Sequence, residues 1–295
     1  SNISGTKHQG SVVNTMSGLY WGDSNNKKIS RLTASKDGIS VNQVSDIKGL
    51  YAYIFKNFNN ILEDKPSYSD LGGITSGYDM KRNKIYFSFL NGSGTSFNVI
   101  YNELTDSFVS FYSVKPKMFI VDGKNTLTFD INSSNLNDLY IENEGDFSNY
   151  YGVKYKSTLK YIVNTEPKVT KTFDNLVIDT QSVNIQNDIQ VSQNQDTWKR
   201  LRVTNDSQNT DFQDLIYNDN IKRPEKTWKL AIPRNRVLYT NSDSPNIYTD
   251  LSPTRKQFGE RMRDKYVQIE LEYNNDDNNL LKTNSITTLG KLSPR

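Results

Sequence analysis

Residues 11–45 hold four short runs, SVVNTM, GLYWGD, KKISRLT and ISVNQVS, and residues 73–113 hold four more, GITSGYD, KIYFSFL, FNVIYNEL and SFVSFYS. Within each run apolar and polar residues alternate. Between runs stand SG at 17–18, DSNN at 23–26, KDG at 36–38, then MKRN, NGSGT and TD. Alternating segments separated by Gly, Asn and Asp are hairpin chemistry, because those residues reach the backbone angles that tight turns need. Each window therefore predicts a four-stranded antiparallel meander. A third unit begins after Pro116 with three runs, KMFIVDG, TLTFDI and DLYIEN.

A four-stranded unit recurring at about 40 residues is the signature of β-propeller blades. An ordinary antiparallel sandwich is the competing reading, and the recurrence favours blades. Closed propellers need about four to eight blades. The remaining blades are therefore expected before Ser1, in a separate fragment of the same precursor or in a longer native chain. The abrupt start at Ser1, with the polar leader SNISGTKHQG over 1–10, agrees with that expectation.

Between the first two units lies GLYAYIFKNFNNIL, 49–62. Tyr51, Ile54, Phe55, Phe58 and Leu62 recur at helical spacing and predict one apolar helix face, and Pro66 closes the segment.

The pattern changes near Tyr150. YKSTLKYIVNT and KTFDNLVIDTQ predict two long strands around the turn EPKV, followed by VNIQNDIQVS and KRLRVTND. In DKYVQIELEYNN, Val267, Ile269, Leu271 and Tyr273 alternate with Tyr266, Gln268, Glu270 and Glu272. NSITTLGKL predicts the last strand. The domain reading is a polar leader over 1–10, terminal propeller blades over 11–148 and a β-sandwich over 150–295. Within the sandwich, 206–260 is expected to be irregular, because Pro224, Pro233, Pro245 and Pro253 interrupt it. A loop of that length is usually functional or packed on a partner. The fold class is all-β: partial β-propeller blades followed by a β-sandwich domain.

Catalytic signals are weak. The chain has no cysteine, which excludes disulfides and cysteine-held zinc, and one histidine, His8, in the leader, where it is expected at the surface. A Ser-His-Asp triad needs a base positioned by other groups. Glu142, Glu144 and Asp146 lack the spacing of a known calcium loop and predict a solvated turn. NNDDNN at 274–279 predicts a hairpin loop. Trp21, Trp198 and Trp228 are too far apart in sequence to predict a sugar-stacking platform, so packing is expected for them. No cofactor or metal is implied. A net charge of +3 over 295 residues does not itself predict nucleic-acid binding, and no run is apolar enough to span a membrane. The segment PTRKQFGERMRDK, 253–265, is the strongest basic feature. Its Arg255, Lys256, Arg261, Arg263 and Lys265 are the candidate contacts to a subunit interface or to DNA in a channel, set against the simpler reading of a solvated face, which the thin aromatic interleaving favours over nucleic-acid contact.

Four phrases in order resemble the muzzle (stabilisation) proteins of crAss-like phages. They are GYDMKRNKIYFSFL…FNVIYNELTDSFVSFYS, YYGVKYKSTLKYIVNTEPKVTKTFDNLVIDT, RLRVTNDSQNT and GERMRDKYVQIELEYNN. The resemblance runs from about residue 11 to the end and rests on order and spacing, since none of the phrases is catalytic. It implies a structural virion protein, analogous to the tail nozzles of other short-tailed phages. Its place would be the distal tail, in a hexameric ring around the DNA exit channel. The implied partners are further copies of the chain, an N-terminal fragment of the same precursor, other tail proteins and packaged DNA, with no membrane. It also implies that this chain is the C-terminal part of a longer protein.

The expected function is non-enzymatic: a muzzle that closes the DNA exit channel. Bare sheet edges invite association, so the isolated chain is expected to be oligomeric or insoluble. The alternatives are a receptor- or glycan-binding tail module, which predicts aromatics clustered on an exposed surface, and a tail-associated glycan hydrolase, which needs two facing carboxylates.

Overall fold

The computed structural model describes residues 4–36, 38–58, 73–90, 96–130, 138–186, 189–235 and 260–293. The described chain is built mainly of antiparallel strands and divides into two compact units, 1–145 and 146–295.

The first unit contains three sheets. The first follows chain order through β1 (Val13–Thr15), β2 (Gly18–Asp23), β3 (Lys28–Ser35) and β4 (Gly38–Gln43). A single turn α1 (Val44–Ile47) and a helix α2 (Tyr51–Phe58) follow. The second sheet is β5 (Gly73–Asp79), β6 (Lys84–Leu90), β7 (Phe97–Asn102) and β8 (Ser107–Tyr112), again in chain order. The third is β9 (Pro116–Asp122), β10 (Asn125–Asp130) and β11 (Leu139–Ile141). These strands lie where the alternating runs predict them.

One turn design recurs between them. Asp23, Asp79 and Asn102 each end a strand, and each next strand starts five residues later, at Lys28, Lys84 and Ser107. In each loop the side-chain oxygen of the first residue accepts backbone N–H bonds: Asp23 from Asn25 and Asn26, Asp79 from Arg82, and Asn102 from Leu104 and Thr105. In each the last loop residue is left-handed, Lys27 at φ 55°, Asn83 at 52° and Asp106 at 47°. Asp and Asn mimic a backbone turn with their side chains, which fixes four-residue hairpin loops.

The helix α2 lies inside 49–62, with residues 59–62 outside the described residues. Its buried face differs from the expectation. Ile54 and the preceding Leu50 enter the core, whereas Tyr51 and Phe55 stay exposed. The two rings face water beside lysines: Lys28 Nζ lies 4.9 Å from the Tyr51 ring and Lys27 Nζ 5.1 Å from the Phe55 ring. Aliphatic side chains have no polar alternative to burial, whereas an aromatic face can stack on a cation.

The leader is held down. Ser4 Oγ and Gly5 N–H donate to the Asp23 carboxylate, and a turn of 3-10 helix at Gln9–Ser11 follows. His8 is fully buried, which corrects the expected surface histidine. Neither ring nitrogen has a hydrogen-bond partner among the described residues, and burial, with Lys7 nearby, pushes its pKa down.

The second unit starts with a two-stranded ribbon, β12 (Asn149–Tyr150) and β13 (Val153–Lys154). Its remaining strands are β14 (Ser157–Val163), β15 (Lys171–Gln186), β16 (Ile189–Ser192), β17 (Arg200–Thr204), β18 (Gln213–Asp214), β19 (Ile221–Lys222), β20 (Trp228–Ala231), β21 (Arg263–Asp264), β22 (Val267–Tyr273) and β23 (Asn279–Leu292). One sheet has the order β14-β22-β17-β18 and the other β16-β15-β20-β19, with β21 and β23 also paired to β15. Leu176, Ile178 and Trp228 from one sheet and Leu201, Val203, Val267, Ile269 and Leu271 from the other share one core. The alternation read in DKYVQIELEY is the one observed.

Two local readings are corrected. The strands flanking EPKV do not pair with each other: β14 pairs β22, whereas β15 pairs β23. NNDDNN is not a hairpin loop, because β22 and β23 belong to different sheets. It is a crossover pinned by buried Asn275 and Asn279, which hydrogen-bond to each other through side chain and backbone. Of the segment 206–260, residues 206–235 and 260 are described, and the first of these stretches contributes β18, β19 and β20. Pro245, Pro253, Arg255 and Lys256 lie outside the described residues.

Candidate interaction surface

The three sheets of the first unit pack face to face, and glycine makes each joint close. A Cβ on Gly22 of β2 would stand 2.8 Å from Ile74 Cγ2 of β5. A Cβ on Gly77 of β5 would stand 2.5 Å from Cγ of Phe119 on β9. The middle sheet thus puts a side chain into a notch on one neighbour and offers a notch to the other. Neither glycine has the left-handed backbone that favours glycine, so space is the reason for both. Glycine inside a strand is the sequence signal that would have located these joints.

Polar ties reinforce the packing. At the first joint the Tyr20 and Tyr101 rings lie 5.6 Å apart, and Lys48 bonds Asp106 at 2.6 Å. At the second, Thr126 Oγ1 donates to the Tyr78 carbonyl at 3.1 Å, and the Phe119 ring stacks 5.8 Å from Tyr86. β5 is an edge strand of its own sheet, yet all seven of its residues are buried between the neighbours.

Within the first unit, among the described residues, each end sheet has one face that packs on no other sheet of the unit. On the third sheet Ile120, Leu127 and Ile141 form a cross-strand row, with Phe129 and Leu139 beside it on the same face. Ile120 is 39% exposed, Leu139 46% and Ile141 45%, and Leu127 and Phe129 are half-buried. On the first sheet Leu19, Leu32 and Val41 form the matching row, with Ile39 beside it. Val41 is 48% exposed and Ile39 74%.

In the second unit the outer face of one sheet is a charge ladder. Arg200 and Lys156 both reach the buried Glu272 carboxylate, at 3.0 and 2.5 Å, and Arg202 bonds Glu270. Both guanidinium groups lie 4.6 Å from the Phe212 ring. Beneath, Asp196 is buried and accepts from Ser182 at 2.5 Å, Tyr273 at 2.6 Å, Asn279 at 3.0 Å and Lys199 at 2.5 Å. Burial alone would raise its pKa, but the Lys199, Ser182 and Tyr273 bonds outweigh that and hold it below the usual carboxylate value. This node joins β15, β22 and the start of β23.

Of the basic run, Arg261, Arg263 and Lys265 are exposed. Met262 between the arginines is buried in the core. The backbone here is fixed: Arg263 pairs with Thr172 of β15, and Gln208 bonds Arg261 O and Arg263 N. Arg261 also pairs with Asp174 at 3.4 Å. The described end of the run, 260–265, is therefore tied to β15 and to Gln208 through its backbone.

The acidic residues of the expected solvated turn separate. Glu142 is buried instead, accepts from Thr128 at 2.9 Å, and its pKa is raised by burial against the Thr128 and Tyr112 bonds. Glu144 faces Lys81 at 3.8 Å, and Asp146 accepts from Asn278. No group of three potential metal ligands occurs among the described residues. All three tryptophans are buried, Trp198 and Trp228 in one core.

Comparison with known proteins adds two family matches. Residues 1–132 match the family model of the Crassvirus muzzle protein, and residues 145–235 match that of the Crassvirus muzzle protein C-terminal domain. No curated protein matches the chain. Among solved structures, an exo-beta-1,3-galactanase from Phanerochaete chrysosporium is 8% identical over 97% of this chain and 67% of its own, at a TM-score of 0.20. That likeness is too slight to transfer fold or activity.

Proposed function

This chain belongs to the Crassvirus muzzle protein family, and from that premise we propose that it builds the wall of the tail muzzle that closes the DNA exit channel. The chain is a structural protein of the phage tail. In the proposal it acts at the distal tail, as a hexameric ring, without catalysis, and its first three sheets are propeller blades.

One observation carries this reading. The first unit is a face-to-face stack whose inner edge strand is wholly buried, while β4 and β8 lie exposed on the far edges. That is how blades fan from an axis. The buried carboxylates Asp23, Asp79, Asp196 and Glu272 all hold turns or tie strands, a use of charge suited to architecture. Arg261, Arg263 and Lys265 are the proposed contacts to packaged DNA or to a neighbouring tail protein, Arg255 and Lys256 being the other members of that run.

The test is made on virions. Electron microscopy of the tail tip should find this chain in a six-fold ring around a closed channel. R261E/R263E/K265E virions should leak DNA to nuclease faster than wild type if the run faces DNA. Finding the chain elsewhere in the particle would sink the proposal.

The receptor- or glycan-binding reading has one observation in its favour. Tyr51, Tyr53 and Phe55 expose their rings on α2, with Phe111 4.6 Å from Tyr53. It requires host-polysaccharide binding that Y53A abolishes.

A further inference from the structure

We infer that residues 4–11 form an acid-released strap: they stay seated across the joint between the first and second sheets while the His8 imidazole is neutral, and a proton on that ring drives them out. The device needs only the first unit and does not depend on where the chain sits in the tail.

Backbone groups and short polar side chains tie the strap down. Ser4 Oγ and Gly5 N–H donate to Asp23 Oδ2 at 2.9 and 3.2 Å. The His8 N–H donates to Thr6 Oγ1 at 3.0 Å. Ser11 Oγ donates to the His8 carbonyl at 2.7 Å and reaches the Gly22 carbonyl at 3.4 Å. Gly22 is the notch of β2 that receives Ile74 of β5, and the 3-10 turn after His8 packs on both of these strands.

The imidazole is left out of these bonds. The His8 side chain is fully buried, and neither Nδ1 nor Nε2 has a hydrogen-bond partner. A neutral ring tolerates this at modest cost. An imidazolium carries two N–H donors and a full charge, which such a site neither bonds nor solvates. None of the charges around it takes the ring as partner. Lys7 repels a charge there. The two strands packed on the turn carry one carboxylate each, Asp23 on β2 and Asp79 on β5. Asp23 is taken by Ser4, Gly5, Asn25 and Asn26, and Asp79 by Arg82 and Asn143. Once released, the ring binds its proton at the ordinary value of about 6.5, whereas in the seat burial and Lys7 hold that value lower. The seat therefore holds fully above about pH 6.5 and weakens as pH falls below it. Release bares the Asp23 turn and the Gly22–Ile74 notch.

His8 is the only histidine in the chain, so NMR can follow its imidazole protons in the full-length protein without ambiguity. Their titration should have a midpoint below about 6.5. Hydrogen-exchange protection of residues 4–11, corrected for the intrinsic pH dependence of exchange, should fall by about tenfold per pH unit from about pH 6.5 to that midpoint. It should level off beneath the midpoint, and protection in β6 and β7 should not move. H8F and H8Q carry no ring that titrates in this window, so a seated strap in either should keep its protection as the pH falls. Should both variants unseat the strap at neutral pH, the wild type decides: protection must stop falling at the imidazole's own midpoint, and a different course overturns the inference. So does a midpoint at or above about 6.5, a wild-type strap whose protection ignores pH, or an equal fall in a seated H8F or H8Q, which would assign the titration to another group.

Discussion

At Gly77 a hydrogen stands where any other residue would place a carbon 2.5 Å from the Phe119 ring. The ring is held there, because Tyr86, the cross-strand partner of Gly77, stacks on it. G77A should therefore cost about 1–3 kcal/mol in urea unfolding, the usual penalty for overpacking. G5A, with nothing within 4 Å, should cost nothing. In the double variant G77A/F119L the smaller side chain should recover part of the loss, and strictly additive effects would refute the contact. Two buried carboxylates make a second prediction, with opposite signs. Asp196 is held below its ordinary value, so its contribution exists above about pH 4 and is lost as pH falls through the folded value. Glu142 is held above its ordinary value, so its contribution exists below about pH 4 and is lost as pH rises through the folded value. At pH 7, E142Q should slow hydrogen exchange in β9–β11 and D196N should speed it in β15 and β22. Both differences should shrink at pH 3, and exchange that ignores pH would refute both assignments. Neither role was legible in the sequence. Burial of a single polar side chain is decided by elements distant along the chain, as it is for His8.

At the scale of elements, Asp23 does two jobs at once. Oδ1 accepts from the turn N–H groups of Asn25 and Asn26, and Oδ2 accepts from Ser4, Gly5 and Asn26. D23A leaves these donors without their acceptor, at a cost of about 2 kcal/mol. It should also release the leader, so trypsin should cut after Lys7 faster than in wild type; an unchanged rate would show that the leader is held by something else. Elements of this kind are where the sequence reads best. The eleven strands described in the first unit follow from alternation and turn residues, because each pairs with a neighbour in the chain. The helix was legible in place but not in orientation. Tyr and Phe counted as apolar in the periodic pattern, whereas Leu50 and Ile54 took the core and left Tyr51 and Phe55 to the lysines. The loop at 274–279 shows the same limit, since its residues fit a turn whether the next strand returns to the same sheet or crosses to another.

At the scale of the whole molecule, the difference between the two units is one of range. In the first unit pairing is local. In the second, β14 waits for β22 more than a hundred residues later, and β15 for β23. The period of a strand states which residues face the core but not which strand lies beside it, so partner choice there was not legible. The result is two cores. One is built around Ile29, Ile54, Ile74, Ile85 and Phe87, the other around Leu201, Trp228, Ile269 and Leu271. Each is complete within its own unit, and this predicts how the chain melts. I85A removes most of a fully buried side chain from the first core and should cost about 2–5 kcal/mol there. L201A should cost a similar amount in the second. Scanning calorimetry of the full chain should resolve two transitions, with each variant lowering a different one. The lowered transition can be assigned by tryptophan fluorescence, because Trp21 reports on the first unit and Trp198 and Trp228 on the second. If both variants shift one common transition equally, the two cores unfold as one and the division into two units does not extend to stability.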